Sequence, residues 1–183
     1  MLTFFAACGF PKAFYIKSAK TGKYCCLNGQ NQNIKVVKCD DNCANNHKFY
    51  ALSNNEDILI NKGAGNNPQD RCALWSKGHR TFLSVGMSGG LSLSKNGDQK
   101  LKADDNRMYF QAIDIGNKVT IKNMGGEKCL KLQPNEEIRP KECFTKSSFS
   151  SSCPDCEFEL EAAFDSFEGT PNNIINNRQT IKL

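Results

Sequence analysis

Short runs of alternating hydrophobic and polar residues cover most of this chain, and runs of the same kind recur three times. Each recurrence contains a marker segment built around a leucine. The markers are Lys23-Tyr24-Cys25-Cys26-Leu27, Arg80-Thr81-Phe82-Leu83-Ser84 and Glu127-Lys128-Cys129-Leu130-Lys131. Alternation with a period of two indicates half-buried β-strands. The leucines of successive markers are separated by 56 and 47 residues, a spacing typical of repeat architectures. The sequence therefore predicts three repeated units.

Each unit contains four predicted strands, and the marker is the second of them. The first strands are Phe14-Tyr15-Ile16-Lys17, Cys72-Ala73-Leu74-Trp75 and Val119-Thr120-Ile121-Lys122. The third strands are Ile34-Lys35-Val36-Val37, Leu91-Ser92-Leu93-Ser94 and Ile138-Arg139. The fourth strands are Lys48-Phe49-Tyr50-Ala51-Leu52, Met108-Tyr109-Phe110-Gln111-Ala112 and Glu157-Phe158-Glu159-Leu160. No long helical periodicity competes with these twelve strands, so the predicted fold class is all-β.

The boundaries follow from where the alternation stops. The units are assigned to residues 14–52, 72–113 and 114–162. Residues 53–71 form an irregular connection that is either an insertion or a distorted strand, and 163–183 form a polar tail. The apolar residues 2–7 are either a buried first strand or the clipped end of a secretory signal.

Composition limits the class of protein. The chain has 183 residues, 39% of them hydrophobic and 23% charged, which suits one domain with its own core. No stretch approaches the roughly 20 apolar residues that span a bilayer, so membrane insertion is not expected.

Ten cysteines are many for a chain of this length and favour an oxidising setting, either secreted or at the cell surface. Cys26 and Cys39 are 13 residues apart and Cys129 and Cys143 are 14 apart, each pair joining the second strand of a unit to the end of its third. Neighbouring strands bring facing Cα atoms within disulfide range. We therefore predict the disulfides Cys26–Cys39 and Cys129–Cys143. The connectivity of the remaining cysteines is left open.

The Cys153-Pro154-Asp155-Cys156 segment has the C-x-x-C spacing of redox and zinc-binding sites. Redox enzymes place such a pair at the start of a helix, whereas this one precedes a predicted strand. A disulfide involving Cys153 and Cys156 is favoured, and half a zinc site shared with Cys39 and Cys43 is the alternative. No metal or other cofactor is expected.

A formal net charge of +5 and a pI near 8.6 make the chain mildly basic. This charge would favour a polyanionic partner such as a sulfated glycan. The lysines are scattered, however, with no basic run of five or more residues, which is typical of solvated faces. Nucleic acid is not an expected partner.

Three four-stranded units of this length resemble the β-trefoil, in which six strands close a barrel and six hairpin strands cap one end. The runs from Cys26-Leu27 to Cys39 and from Cys129-Leu130 to Cys143 are similar to the ricin-type lectin pattern. Asn28 and Lys131 stand where sugar-binding members of that family usually have Asp. His47-Lys48-Phe49 replaces the family's Gln-x-Trp element, so its galactose site is not carried over to this chain.

The middle unit, from Phe82-Leu83-Ser84-Val85 to Met108-Tyr109-Phe110-Gln111, is similar to the strand pattern of interleukin-one-type cytokines, fibroblast growth factors and fascins. Because members of one fold serve many functions, these resemblances imply a fold more firmly than a function.

Residues that could carry catalysis are scarce. His47 and His79 lie in predicted turns, and Gly86-Met87-Ser88-Gly89-Gly90 lacks the spacing and the strand-to-helix setting of a nucleophile elbow. A non-enzymatic protein is therefore expected.

The candidate ligand-binding residues combine an aromatic ring with polar neighbours, as carbohydrate sites do. They are Lys23, Tyr24, Asn28, Trp75, His79, Arg80 and Lys128. Trp75 is the only tryptophan, and core packing is the alternative role for it.

The expected function is lectin-like recognition of carbohydrate or a cell-surface glycoprotein through trefoil loops. Three alternatives remain. The first is a cytokine-like or growth-factor-like ligand of a protein receptor. The second is a protease inhibitor that presents residues 61–71 or 144–155, and the third, a cytosolic actin-bundling module, fits the cysteine content poorly.

Overall fold

The described part of the chain contains twelve β-strands and two short 3-10 helices, Asn106–Met108 and Pro154–Cys156. The computed structural model describes residues 8–31, 34–43, 47–53, 71–76, 79, 81–86, 89–93, 105–143 and 153–163. The strands are β1 (Ala13–Ser18), β2 (Tyr24–Asn31), β3 (Ile34–Cys39), β4 (Phe49–Ser53), β5 (Cys72–Ser76), β6 (Thr81–Val85), β7 (Leu91–Leu93), β8 (Tyr109–Asp114), β9 (Val119–Asn123), β10 (Lys128–Leu132), β11 (Ile138–Lys141) and β12 (Phe158–Ala162). All twelve predicted strands are confirmed. The apolar residues 2–7, most of the connection 53–71 and the tail beyond 163 lie outside the described residues.

The first and fourth strands of the three units close into a barrel. Antiparallel pairs run around it from β1 to β4, β5, β8, β9 and β12, and β12 pairs with β1 again. A closed sheet leaves no unpaired edge in the barrel. The pseudo-threefold arrangement that the β-trefoil resemblance implies is therefore present.

The second and third strands of each unit form hairpins, β2–β3, β6–β7 and β10–β11, which extend from β1, β5 and β9. The marker leucines occupy the same register in each hairpin. Leu27 lies opposite Val37, Leu83 opposite Leu93 and Leu130 opposite Pro140. All three leucines are buried in one core cluster, which confirms that the units are equivalent.

The core begins ahead of residue 14. The Phe10 ring stacks on Phe14 with centroids 5.3 Å apart, and the Cys8 carbonyl accepts a 2.9 Å hydrogen bond from the Ala112 amide. Between them, Gly9 has φ +83°, and a Cβ there would collide with the Ala112 carbonyl. Glycine permits both the left-handed backbone and this close approach. Cys8, Gly9 and Phe10 thus pack with the barrel.

A second apolar cluster lies on the other side of the sheet around β5. Its buried members are Tyr50, Leu52, Ala73, Trp75, Phe82, Met108 and Tyr109. Every residue of β5 is buried, so both faces of this strand are covered. Strands buried on both faces read as continuous apolar runs rather than as alternation. The sequence of β5, Cys-Ala-Leu-Trp-Ser, shows this departure from the period of two.

The disulfides of the first unit differ from the prediction by one residue. The structure joins Cys25 to Cys39 and Cys26 to Cys43, so the predicted Cys26–Cys39 pairing is wrong. Cys25 lies directly opposite Cys39 in the β2–β3 register, whereas Cys26 lies opposite Lys38. Successive residues of a strand point to opposite faces, so Cys26 cannot meet Cys39. It meets Cys43 beyond the end of β3.

The other disulfides are Cys129–Cys143, as predicted, together with Cys8–Cys72 and Cys153–Cys156. Cys129 is the equivalent of Cys26, since each directly precedes a marker leucine, and each bonds a cysteine beyond the third strand. No cysteine of the chain is free. Because Cys39, Cys43, Cys153 and Cys156 are all oxidised in disulfides, the alternative of a shared zinc site is overturned.

Within the described residues, no helix has the length and apolar character needed to cross a bilayer.

The equivalence of the three leucines can be measured. Leu27→Ala, Leu83→Ala and Leu130→Ala should each lower the free energy of unfolding by about 2–5 kcal/mol, because each leaves a cavity in the shared core. Chemical denaturation gives these values. The control Ile115→Ala removes a side chain that is 37% exposed and should cost less than about 0.5 kcal/mol. A leucine variant as stable as this control would contradict the equivalence.

The disulfides should differ in their susceptibility to reduction. The two cysteines of Cys153–Cys156 are three residues apart in sequence, whereas those of the other disulfides are 14 to 64 apart. Cys153 is also only half-buried. A short loop contributes least to stability by restricting the unfolded chain. Mild reductant followed by alkylation and mass spectrometry should label Cys153 and Cys156 first. Earlier labelling of the buried Cys8 and Cys72 would contradict this order.

Candidate functional site

Trp75 does not offer a surface for a ligand. Its side chain is 5% exposed, and its ring meets Phe82 edge-to-face with centroids 4.8 Å apart. Tyr50 lies opposite it on β4. The outer face of β5 is covered as fully as its inner face, so the burial of Trp75 matches its alternative role, core packing.

Lys23 holds two units together. Its ammonium lies 2.7 Å from a carboxylate oxygen of Glu136 and 3.1 Å from one of Asp41. The hydrogen bond to Glu136, with a smaller effect from that to Asp41, raises the pKa of Lys23 above its ordinary value. Glu136 lies in the turn between β10 and β11, and its carbonyl accepts a 2.9 Å hydrogen bond from the Cys39 amide. Lys23 is therefore engaged in joining the first and third units.

Asn28 is also engaged within the chain. Its side-chain amide donates a 2.7 Å hydrogen bond to the buried carboxylate of Asp40, whose other oxygen accepts from the Asn42 amide at 2.9 Å. This pair fixes the turn that follows β3.

Of the remaining predicted residues, Lys128 belongs to the third unit, whereas His79 and Arg80 are consecutive in the second. The ammonium of Lys128 on β10 lies 3.6 Å from a carboxylate oxygen of Glu142. His79 is half-buried, with its ring centroid 6.4 Å from that of His47, and burial lowers the pKa of His47. Arg80 lies outside the described residues. Apart from Tyr24, no predicted residue combines an accessible aromatic ring with polar groups.

Tyr24 belongs to a surface on the outer side of β12, β1 and β2. We call this the tyrosine surface; its members are Tyr15, Lys17, Tyr24, Glu159 and Glu161. Tyr15 lies opposite Glu161, and Lys17 lies between Glu159 on one side and Tyr24 on the other. In β1 every second residue is buried, so Tyr15 and Lys17 point away from the core.

The tyrosine surface is held in place by its own contacts. The Tyr24 hydroxyl donates a 2.7 Å hydrogen bond to Glu161. The Tyr15 and Tyr24 rings meet edge-to-face with centroids 6.0 Å apart, and the Lys17 ammonium lies 5.6 Å from the Tyr24 centroid. Both geometries are favourable for aromatic rings. The two rings are thus held in place by contacts within the chain.

This arrangement has the chemical groups that a neutral sugar requires. Half-buried tyrosine rings offer apolar faces, and the exposed carboxylates of Glu159 and Glu161 accept hydrogen bonds from hydroxyls. In the part of the chain that the structure describes, the Glu159 carboxylate forms no hydrogen bond or ion pair with another side chain. Lys17 supplies a donor. No three His, Cys, Asp or Glu side chains among these same described residues are grouped so as to hold a metal ion.

Sequence reasoning identified Tyr24 and missed the other members of the surface. The alternation in β1 was a signal that Tyr15 and Lys17 face outward. Glu161 is 137 residues from Tyr24 along the chain, and only the pairing of β1 with β12 brings the two together.

The hydrogen bond between Tyr24 and Glu161 predicts an altered titration. It raises the pKa of Tyr24 above its ordinary value of 10.0, so the stabilisation is complete below that pH and is lost as pH rises through the raised pKa. Glu161→Gln should return the pKa towards 10.0, as measured by the carbon-13 shift of the phenol carbon. Glu159→Gln removes a nearby carboxylate that does not bond Tyr24, and should change the pKa less. Equal changes in both variants would contradict this assignment.

No protein-family model matches this chain, and no curated protein sequence matches it significantly. Solved structures do match. Cry35Ab1 aligns with a TM-score of 0.60 at 12% sequence identity. The alignment covers 87% of this chain and 37% of the Cry35Ab1 chain. A salivary protein of the Cysteine and Tryptophan-Rich family from Culex quinquefasciatus aligns with a TM-score of 0.59 at 15% identity, over 87% of this chain and 100% of that one.

The structure described as BEL beta-trefoil aligns with a TM-score of 0.56 at 11% identity, over 88% of this chain and 100% of that one. At such identities the likeness bears on the fold alone. Together with the closed six-stranded barrel and its three equivalent hairpins, it identifies the chain as a β-trefoil protein.

Proposed function

We propose that this protein is a non-enzymatic, extracellular binding protein that recognises a neutral carbohydrate through the tyrosine surface. The observation that carries the proposal is the edge-to-face pair of Tyr15 and Tyr24, bordered by Glu159, Glu161 and Lys17. Five disulfides support an extracellular location, since such bonds persist in oxidising compartments.

The chemistry of the surface favours a sugar without charge. A pyranose has apolar C–H faces that pack on aromatic rings and hydroxyls that donate to carboxylates. Two carboxylates against one ammonium give the tyrosine surface a negative balance, which would repel an acidic glycan. Lys17 offers a donor for a ring or hydroxyl oxygen.

The position of these residues on strands supports specific recognition. Tyr15, Lys17 and Glu161 lie on barrel strands, and Tyr24 is fixed by its bond to Glu161. Groups that are ordered before binding lose little conformational entropy when a ligand arrives.

The alternative roles stay predictions. A protease inhibitor would present residues 61–71 or 144–155, most of which lie outside the described residues. A cytokine-like ligand would require a protein-binding face, and no described contact favours one.

A glycan array followed by calorimetry on the strongest neutral hit tests the proposal. Tyr24→Ala and Tyr15→Ala should each weaken binding tenfold or more, equivalent to about 1.4 kcal/mol, because each removes an apolar ring face. Tyr24→Phe should keep part of the affinity, since it retains the ring and loses only the hydroxyl. The control Ile115→Ala should bind like the wild type.

Thermal denaturation of each variant establishes that it is folded. A blank array for neutral glycans, or full affinity in the folded Tyr15→Ala/Tyr24→Ala double variant, would refute the proposal.

A further inference from the structure

The outer face of the β10–β11 hairpin carries positive charge. Leu130 and Leu132 of β10 point into the core, so Lys131 points outward. Lys131 lies directly opposite Arg139, and Lys141 follows two residues later on the same face of β11. Three basic side chains therefore share one face of a two-stranded hairpin.

Lys38 extends this face into the first unit. It forms an isolated antiparallel bridge with Glu137, the residue just before β11. Opposed residues in an antiparallel bridge project to the same side. We call Lys38, Lys131, Arg139 and Lys141 together the basic surface.

Among the described residues, Glu137 is the only acid whose carboxylate forms an ion pair with a member of the basic surface. Glu137 accepts a 3.1 Å hydrogen bond from the Arg139 guanidinium and is 6% exposed. Its charge is thus already engaged with Arg139. The ammonium groups of Lys38, Lys131 and Lys141 have no ion-pair partner among the described residues.

Three lysines elsewhere in the described residues are paired with acids. Lys20, Lys23 and Lys118 each lie within 2.8 Å of a carboxylate oxygen. Like charges placed directly opposite each other in a sheet are destabilising, and Lys131 and Arg139 are opposed in this way. The fold therefore keeps a concentration of positive charge that its own described acids do not neutralise.

We propose that the basic surface binds a linear sulfated glycan, whose sulfates would lie along Lys38, Lys131, Arg139 and Lys141. Complementary charge is the reason for this class of ligand. The site goes beyond the proposed function and is independent of it, because the tyrosine surface has the opposite charge balance and lies on other strands.

Two other polyanions fit less well. Single-stranded nucleic acid is bound by stacking its bases on aromatic side chains, and the basic surface has none. An anionic membrane surface is bound by apolar side chains together with basic ones. Ile115, in the turn after β8, is the only exposed large apolar side chain among the described residues, and it is not part of the basic surface.

The test is binding of the full chain to immobilised heparin by surface plasmon resonance. The variant Lys38→Gln/Lys131→Gln/Lys141→Gln should bind tenfold or more weakly. Arg139 is kept, because its removal would leave the buried carboxylate of Glu137 without its cationic partner. The control variant Lys20→Gln/Lys118→Gln/Lys122→Gln has the same net charge and should lose less than threefold. Fully desulfated heparin should not bind the wild type.

Equal losses in both variants would overturn the site, because binding would then follow net charge alone. Unchanged binding to desulfated heparin would overturn the role of sulfate. The choice of glycan would be overturned if duplex DNA or phosphatidylserine vesicles bound the wild type as tightly as heparin does and lost as much affinity in Lys38→Gln/Lys131→Gln/Lys141→Gln. Binding of a neutral glycan to the tyrosine surface is measured separately, so either proposal can fail alone.

Discussion

Pairing of β1 with β12 closes the barrel and sets which residues of both strands face the core. Five opposed pairs, from Phe14 with Ala162 to Ser18 with Phe158, join the two ends of the barrel. On the inner side this pairing brings Phe14 and Phe158 into the same core. On the outer side the same register sets Tyr15 against Glu161. Because the side-chain period of a strand is two, one register decides both the core and the surface.

Contacts between the first and third units fix these two units against each other. Lys23 reaches Glu136 of the third unit, and Lys38 is bridged to Glu137 beside it. A Cβ on Gly90 would come within 3.1 Å of a Glu137 carboxylate oxygen, so this glycine leaves room for a buried acid where the hairpins meet. The first and third units are thereby fixed, with acidic groups beside the tyrosines on one face and uncompensated lysines on another.

Alternation and marker spacing were sufficient to predict all twelve strands and their grouping into units. What they could not supply was pairing between distant strands. The Cys26–Cys39 prediction failed by one residue because spacing does not say which of two adjacent cysteines faces β3. The burial of Trp75 could not be decided from sequence, because covering the outer face of β5 depends on side chains from β4, β6 and β8. Tyr24 was identified, but its partner Glu161 depends on how the barrel closes.

The most direct test of this account is the set of inter-strand nuclear Overhauser effects between β1 and β12 in isotopically labelled protein. The register of β1 against β12 requires backbone contacts that place Tyr15 opposite Glu161 and Lys17 opposite Glu159. Contacts offset by one residue would place Leu160 opposite Tyr15 and turn the acidic residues of β12 towards the core, and they would contradict both the barrel register and the surface built on it.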